Sequence, residues 1–355
     1  MKTRFGPLIV AAVLVLGGSS GAPAFADNTA NTYHRVTVIT DFGVGASAPT
    51  SFDISFVERS SQTYYLADRT NKGVDLFDAS SNTFETRLTG GFVGNTGNPD
   101  TSGPNGLVVV HDRDELWVGD GMSRVKVFDL RTNSWVATIH TGTNVTRADE
   151  IAYDQKDKLI LVANDADTPP FASLIDTQTR TVVAKITFDD ATAGLEQPVW
   201  DPATHLFYIS VPEAVAAPGG AVAVIDPLTR SRVGLFPVKN CGPAGLALGP
   251  KQQLLLGCGD QTAVQVMDAR TGDVVATISQ VSGADEVWYN PGDKHYYVAA
   301  RDNPSGPVLG VIDAMTNTWI QNVPTGRNAH SVSANPINDE IFVPLRGIGI
   351  GVYHQ

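Results

Sequence analysis

One short phrase recurs six times along this chain and restricts what it can fold into. It reads LFDASSNTFETRL at 76–88, VFDLRTNSWVATI at 127–139 and LIDTQTRTVVAKI at 174–186. It returns as VIDPLTRSRVGLF at 224–236, VMDARTGDVVATI at 266–278 and VIDAMTNTWIQNV at 311–323. Each copy is an apolar run ending in Asp, a polar stretch with Ser, Thr or a like residue three positions on, and a second apolar run. Asp78, Asp129, Asp176, Asp226, Asp268 and Asp313 can each accept a backbone N–H from two residues ahead and close an Asx-turn. The Val-, Ile- and Phe-rich flanks favour strands. The phrase is a β-hairpin, and its aspartates are turn formers rather than catalysts.

Two more strand-like runs precede each hairpin, as at 106–110 and 115–118, 246–248 and 254–257, or 287–289 and 296–299. Four antiparallel strands in about 40–50 residues make one propeller blade. After the sixth phrase only three strand-like runs follow, at 331–334, 340–343 and 348–353. The missing strand is at the front, where RVTVI at 35–39 resembles WVATI at 135–139. The expectation is an all-β, seven-bladed β-propeller of four-stranded antiparallel blades over 27–355, with the N-terminal strand completing the last blade. Such closure removes exposed sheet edges.

The first 26 residues read as a signal peptide: basic Lys2 and Arg4, an apolar run at 8–16, and an Ala24-Phe25-Ala26 cleavage site. That run is too short to span a membrane comfortably, so a periplasmic or secreted protein with no membrane span is expected, and a monomer. The formal net charge of −12 becomes two units more negative once Lys2 and Arg4 are removed. An acidic surface repels phosphate backbones and argues against nucleic acid as a partner. Cys241 and Cys258 are the only cysteines. If 246–248 pairs with 254–257, the two lie side by side, and an oxidising compartment favours a disulfide. Two cysteines without paired histidines argue against a cysteine-based zinc site.

Function on this fold belongs to the loops and inner-strand starts at one face of the central channel. Aligning the inner strands on Ile54, Leu107, Ile151, Val199, Leu246, Val287 and Val332 puts the residues before them at the funnel. Those residues are rich in carboxylates. Asp149-Glu150 and Asp285-Glu286 sit in near-identical contexts three blades apart, Asp53 joins them, and Glu196 falls one step further back. Asn105 and His330 add neutral ligands. Crowded like charges call for a cation or protons. One reading is an axial divalent cation (calcium, magnesium or zinc) held by Asn105, Asp149 and Asp285. The other is a set of side chains that bond loop backbone around a water-filled channel. Arg69, Arg301 and Arg346 on the second-to-third-strand loops can hold a ligand carboxylate, or neutralise the neighbouring aspartates. His330, Glu150 and Glu286 are the candidates for acid–base work. Two long loops, at 89–104 and 212–220, are further candidates for function. No nucleophile elbow, HExxH, P-loop or dinucleotide fingerprint is present.

The blade phrase, best kept at 125–139 and 264–278, together with the turns PNG at 104–106 and CGPAG at 241–245, resembles the YVTN/YncE-like seven-bladed propellers over nearly the whole chain. That resemblance implies an exported propeller and leaves activity open. GPNG at 103–106 with LWVGD at 116–120 is more loosely similar to the SMP-30/gluconolactonase group. That group implies a hydrolase with an axial divalent metal held by acidic and Asn side chains, though on six blades rather than seven. Two functions follow: binding of a small molecule or partner protein at the funnel face, or metal-dependent lactonase-like hydrolysis.

Overall fold

The computed structural model describes residues 32–260 and 262–355. The expected signal peptide and its cleavage site lie outside the described residues. Over 33–355 the strands form seven four-stranded antiparallel sheets. Six of them take consecutive strands, and each pairs neighbours in chain order. The seventh combines Ser333–Ala334, Ile341–Leu345 and Gly349–His354 with the N-terminal strand His34–Ile39. That strand pairs antiparallel with the last one, from His34 opposite His354 to Ile39 opposite Ile350. Gln321 clamps its entry, accepting from the Tyr33 N–H at 2.9 Å and donating to the Tyr33 carbonyl at 2.9 Å.

The repeated phrase folds through one local device. In the second blade the Asp129 carboxylate accepts from the N–H groups of Arg131 (2.9 Å) and Thr132 (2.8 Å). Asp176 and Asp313 do the same for the residues two and three ahead. The residue at plus four is left-handed in every copy, with Asn133 at φ 52° and Asn317 at φ 57°, a region Asn tolerates better than most residues. The plus-three hydroxyl turns away to the side chain at plus five, as from Thr132 to Ser134 at 2.9 Å. The hairpin aspartates are thus spent on turns, as the sequence implies.

Apolar packing lies between blades. Leu161 and Leu174 of the third blade meet Phe207, Ile209 and Ile225 of the fourth, all with no exposed surface. Burying each such side chain contributes roughly 1.5–3 kcal/mol. Third strands are buried nearly end to end, as in Ala221–Asp226, whereas outer strands such as Ser134–His140 alternate between half-buried and exposed. Cys241 and Cys258 are disulfide-bonded and fully buried, pinning the inner strand Pro243–Gly249 to its neighbour Gln253–Cys258. No helix among the described residues is long and apolar enough to cross a membrane.

Candidate functional site

The hydrogen bonds that open each blade define the true register of the inner strands. The N–H of Asp53 bonds the carbonyl of Ala67, Asn105 that of Gly119, Asp149 that of Ala163, Glu196 that of Ser210 and Asp285 that of Ala299. These five residues therefore occupy one level around the axis. Counting back from the Ser333–Phe342 pair puts His330 on the same level. Glu196 is part of this ring and not a step behind it. The apolar alignment slips by one residue in two blades, because the level of Leu107 and Val287 is held by Ser55 and Pro198. Ser55 is satisfied there by Ser331, whose hydroxyl accepts from the Ser55 N–H at 2.8 Å. Pro198 is the first residue of its strand, where a missing N–H is tolerated.

Three aspartates of this ring each carry an arginine. Arg69 reaches Asp53 at 2.5 Å and donates to the Asn105 side-chain oxygen at 2.6 Å. Arg147 reaches Asp149 at 2.7 Å, Asp165 at 2.8 Å and Asp53 at 3.9 Å. Arg301 reaches Asp285 at 2.5 Å. With Glu150, Glu196, Glu286, His330 and Arg346, the three aspartates and their arginines line a polar funnel of about 510 Å³. The loop at 89–104 comes to its rim through Asn95, Gly97 and Pro99, whereas the loop at 212–220 does not line it. His330 stacks on Phe52 with ring centroids 4.7 Å apart, and its Nδ1 faces the Asn328 carbonyl at 3.0 Å.

Asn105 stands apart from the other sequence candidates. It is fully buried outside the funnel wall, its oxygen taken by Arg69 and its amide donating to the Ala148 carbonyl at 2.8 Å. Of the three residues expected to hold a cation, Asp149 and Asp285 are each paired with an arginine and Asn105 supports Arg69. Among the described residues no three His, Cys, Asp or Glu side chains are arranged to hold a metal ion. Asp149 still has an unmet need: its buried Oδ1 accepts no hydrogen bond.

Arg147 is the principal functional residue that sequence reasoning passed over. The signal was present in the two near copies, where TRADE at 146–150 and SGADE at 282–286 differ at the position of Arg147 and Gly283. Gly283 is left-handed (φ 61°), and a side chain there would run into the Asp302 carbonyl. The sixth blade takes its cation instead from Arg301, at the end of the adjacent strand His295–Ala300.

Below the aspartate level sits a second one, with Ile54, Gly106, Glu150, Gln197 and Glu286. Gly106 allows the inner strands to close in here, for a Cβ on it would lie 2.5 Å from the Glu150 Cα. Glu150 and Glu286 lie on this level and line the same cavity. Burial pushes both carboxyls well above the ordinary carboxylate range, helped by Glu286 at Glu150 and by Asp285 at Glu286. Desolvation likewise raises Glu196 and Asp149, the latter against the pull of Arg147. Asp53 moves the other way: Arg69, His330 and Arg147 overcome its desolvation and hold it far below the usual range.

No family model matches the chain, and no curated protein sequence does. Solved structures do. A chain of Kuenenia stuttgartiensis hydrazine synthase superposes with a TM-score of 0.69 at 14% identity, covering 88% of this chain and 98% of that one. A chain of a mitotic checkpoint complex superposes with a TM-score of 0.71 at 12% identity, covering 97% and 99%. At these identities the likeness establishes the seven-bladed propeller fold, which proteins use as a scaffold for binding ligands and other proteins.

Proposed function

We propose that this chain is an exported propeller that binds a small, hydroxyl-rich polar molecule in its funnel. The observation that carries the reading is the set of guanidinium–carboxylate pairs, Arg69–Asp53, Arg147–Asp149 and Arg301–Asp285, arrayed around one cavity of about 510 Å³. A hydroxyl both donates and accepts, and such pairs offer both roles side by side. The orphaned Asp149 Oδ1 supplies a buried acceptor, and Arg346, which makes no ion pair among the described residues, supplies a donor at the rim. The volume suits a small ligand and falls within the usual range of binding cavities. The buried disulfide agrees with an oxidising compartment.

Calorimetry against monosaccharides, disaccharides, polyols and hydroxy acids tests this. At least one class should bind, and Arg346→Ala should weaken it about tenfold. Failure of every such compound to bind the folded protein overturns the proposal. The lactonase-like alternative would use Glu150, Glu286 and His330 as acid–base groups around a divalent ion. Its support is the glutamate pair that no cation attends. Metal analysis of protein purified without chelator separates the two, because a stoichiometric divalent ion would favour hydrolysis.

A further inference from the structure

A second cavity opens at the opposite mouth of the axial channel. It measures about 700 Å³ and reaches the turns between first and second strands, where His111 and Lys156 sit at its rim. Its wall differs in character from the funnel: Phe56, Trp200, Trp288, Tyr289 and Leu248 project into it. Phe56 and Trp288 meet edge to face, with centroids 5.7 Å apart. At its inner end the same Glu150 and Glu286 form the wall, so the pair separates the polar funnel from the apolar channel.

These two glutamates differ from the three aspartates of the ring above them in one respect, which they share with Glu196. Asp53, Asp149 and Asp285 each hold an arginine, whereas Glu150 and Glu286, both 4% exposed, form no ion pair with a cation among the described residues. A buried carboxylate without a counter-charge is costly, and here that cost falls at the end of an aromatic-walled cavity. We infer that the apolar channel is a binding site for a hydrophobic monoamine, whose ammonium meets the Glu150–Glu286 pair while its apolar body lies among Phe56, Trp288, Trp200 and Tyr289. A pair that retains one proton still presents one negative charge to the ammonium. Spacing sets the length of the ligand. Phe56 and Trp288 lie two residues beyond the glutamate level, and Trp200 and Tyr289 three. At about 3.3 Å per strand residue, ring and ammonium are roughly 7–10 Å apart. Lys156 at the mouth disfavours a second positive charge at the outer end, which disfavours polyamines.

The test is calorimetry on the full mature chain with 4-phenylbutylamine, its neutral counterpart 4-phenylbutanol, and spermidine. The amine should bind at least tenfold more tightly than the alcohol, and spermidine more weakly than either. In Glu150→Gln/Glu286→Gln the preference for the amine over the alcohol should disappear while alcohol binding persists. Trp288→Ala should weaken both compounds, and Arg346→Ala, at the funnel, should weaken neither. Should the double variant fail to fold, Glu286→Gln alone and Trp288→Ala carry the same comparison. The inference is overturned if the wild-type protein shows no preference for the amine, if the preference survives loss of the glutamates, or if Arg346→Ala rather than Trp288→Ala abolishes binding. None of these outcomes bears on whether polar molecules bind in the funnel.

Discussion

Replacing Arg147 with methionine tests whether arginine is what holds the funnel carboxylates together. Arg147 serves three of them, at 2.7, 2.8 and 3.9 Å, and its side chain is only 12% exposed. With about 4 Å between charge centres and an effective dielectric near 20, each close pair is worth ~4 kcal/mol before desolvation is charged against it. Desolvation offsets much of this while the pairs are intact. Removing one partner of a buried pair costs about 3–5 kcal/mol, because the remaining charge stays buried. Arg147→Met should therefore lose roughly that amount at pH 7.5, measured by urea unfolding followed through tryptophan fluorescence. The loss should depend on pH in a definite direction. Without Arg147 the folded-state pKa of Asp149, already raised by burial, rises further, so the fold binds a proton that the unfolded chain releases. Stability then increases as pH falls, and the deficit at pH 5 should be smaller than at pH 7.5. Arg147→Met/Asp149→Asn should recover part of the loss at pH 7.5. A deficit below about 1 kcal/mol, or one equal at both pH values, would refute the reasoning. On the same reasoning EDTA should leave the wild-type midpoint unchanged. A midpoint lowered by chelator would mean that a bound cation shares the work assigned to Arg147.

Two further expectations concern the frame. Asp75 and Asp68 share Arg87, at 2.5 and 3.6 Å, and burial followed by the Asp68 charge pushes Asp75 up to about 8. A raised carboxyl stabilises the fold at acid pH and loses that contribution as pH rises through its folded value, so the melting temperature should fall between pH 6 and 9, and less steeply in Asp75→Asn; parallel curves would show that Asp75 is ionised throughout. The Cys241–Cys258 bridge spans 17 residues of sequence, which the chain-entropy relation converts to about 3 kcal/mol. Cys241→Ala/Cys258→Ala should lower the urea midpoint accordingly, and a change worth less than about 1 kcal/mol would place the constraint in the native packing instead.

The architecture was legible because it rests on short-range chemistry. Asp at a strand end and a left-handed residue four positions later, Asn in three copies, write a hairpin into each copy of the phrase, and the count of copies plus one displaced strand gives the closure. Nearly all the funnel residues were legible too, since blade repetition carries them to one end of the channel. What the sequence withheld was register and pairing. Ser55 and Pro198 stand where other blades place Leu, Ile or Val, so an alignment on hydrophobicity slips there, and with it the level of Glu196. Nor does a sequence say which carboxylate meets which arginine. Arg147 and Asp149 are near in the chain, but Arg69 with Asp53 and Arg301 with Asp285 become partners only through strand pairing. An Asn such as Asn105, read as a ligand from its position, is instead consumed in supporting Arg69.

That correction alters what the acid-rich channel means. Counted together, the carboxylates suggest a sink for one cation on the axis. Sorted by level, they divide into a ring whose three aspartates are each paired with an arginine while Glu196 makes no ion pair among the described residues and, one residue deeper, a glutamate pair with no cation. The arginine-paired aspartates give a polar wall with donors and acceptors side by side, which is the basis of the polar ligand proposed for the funnel. The glutamate pair faces an aromatic chamber on its other side and keeps an unmet demand for positive charge. One residue of register, 3.3 Å of strand, thus separates two environments with opposite ligand preferences. A site assigned from the summed charge of the channel would merge them, whereas one assigned from the hydrogen bonds of the inner strands keeps them apart.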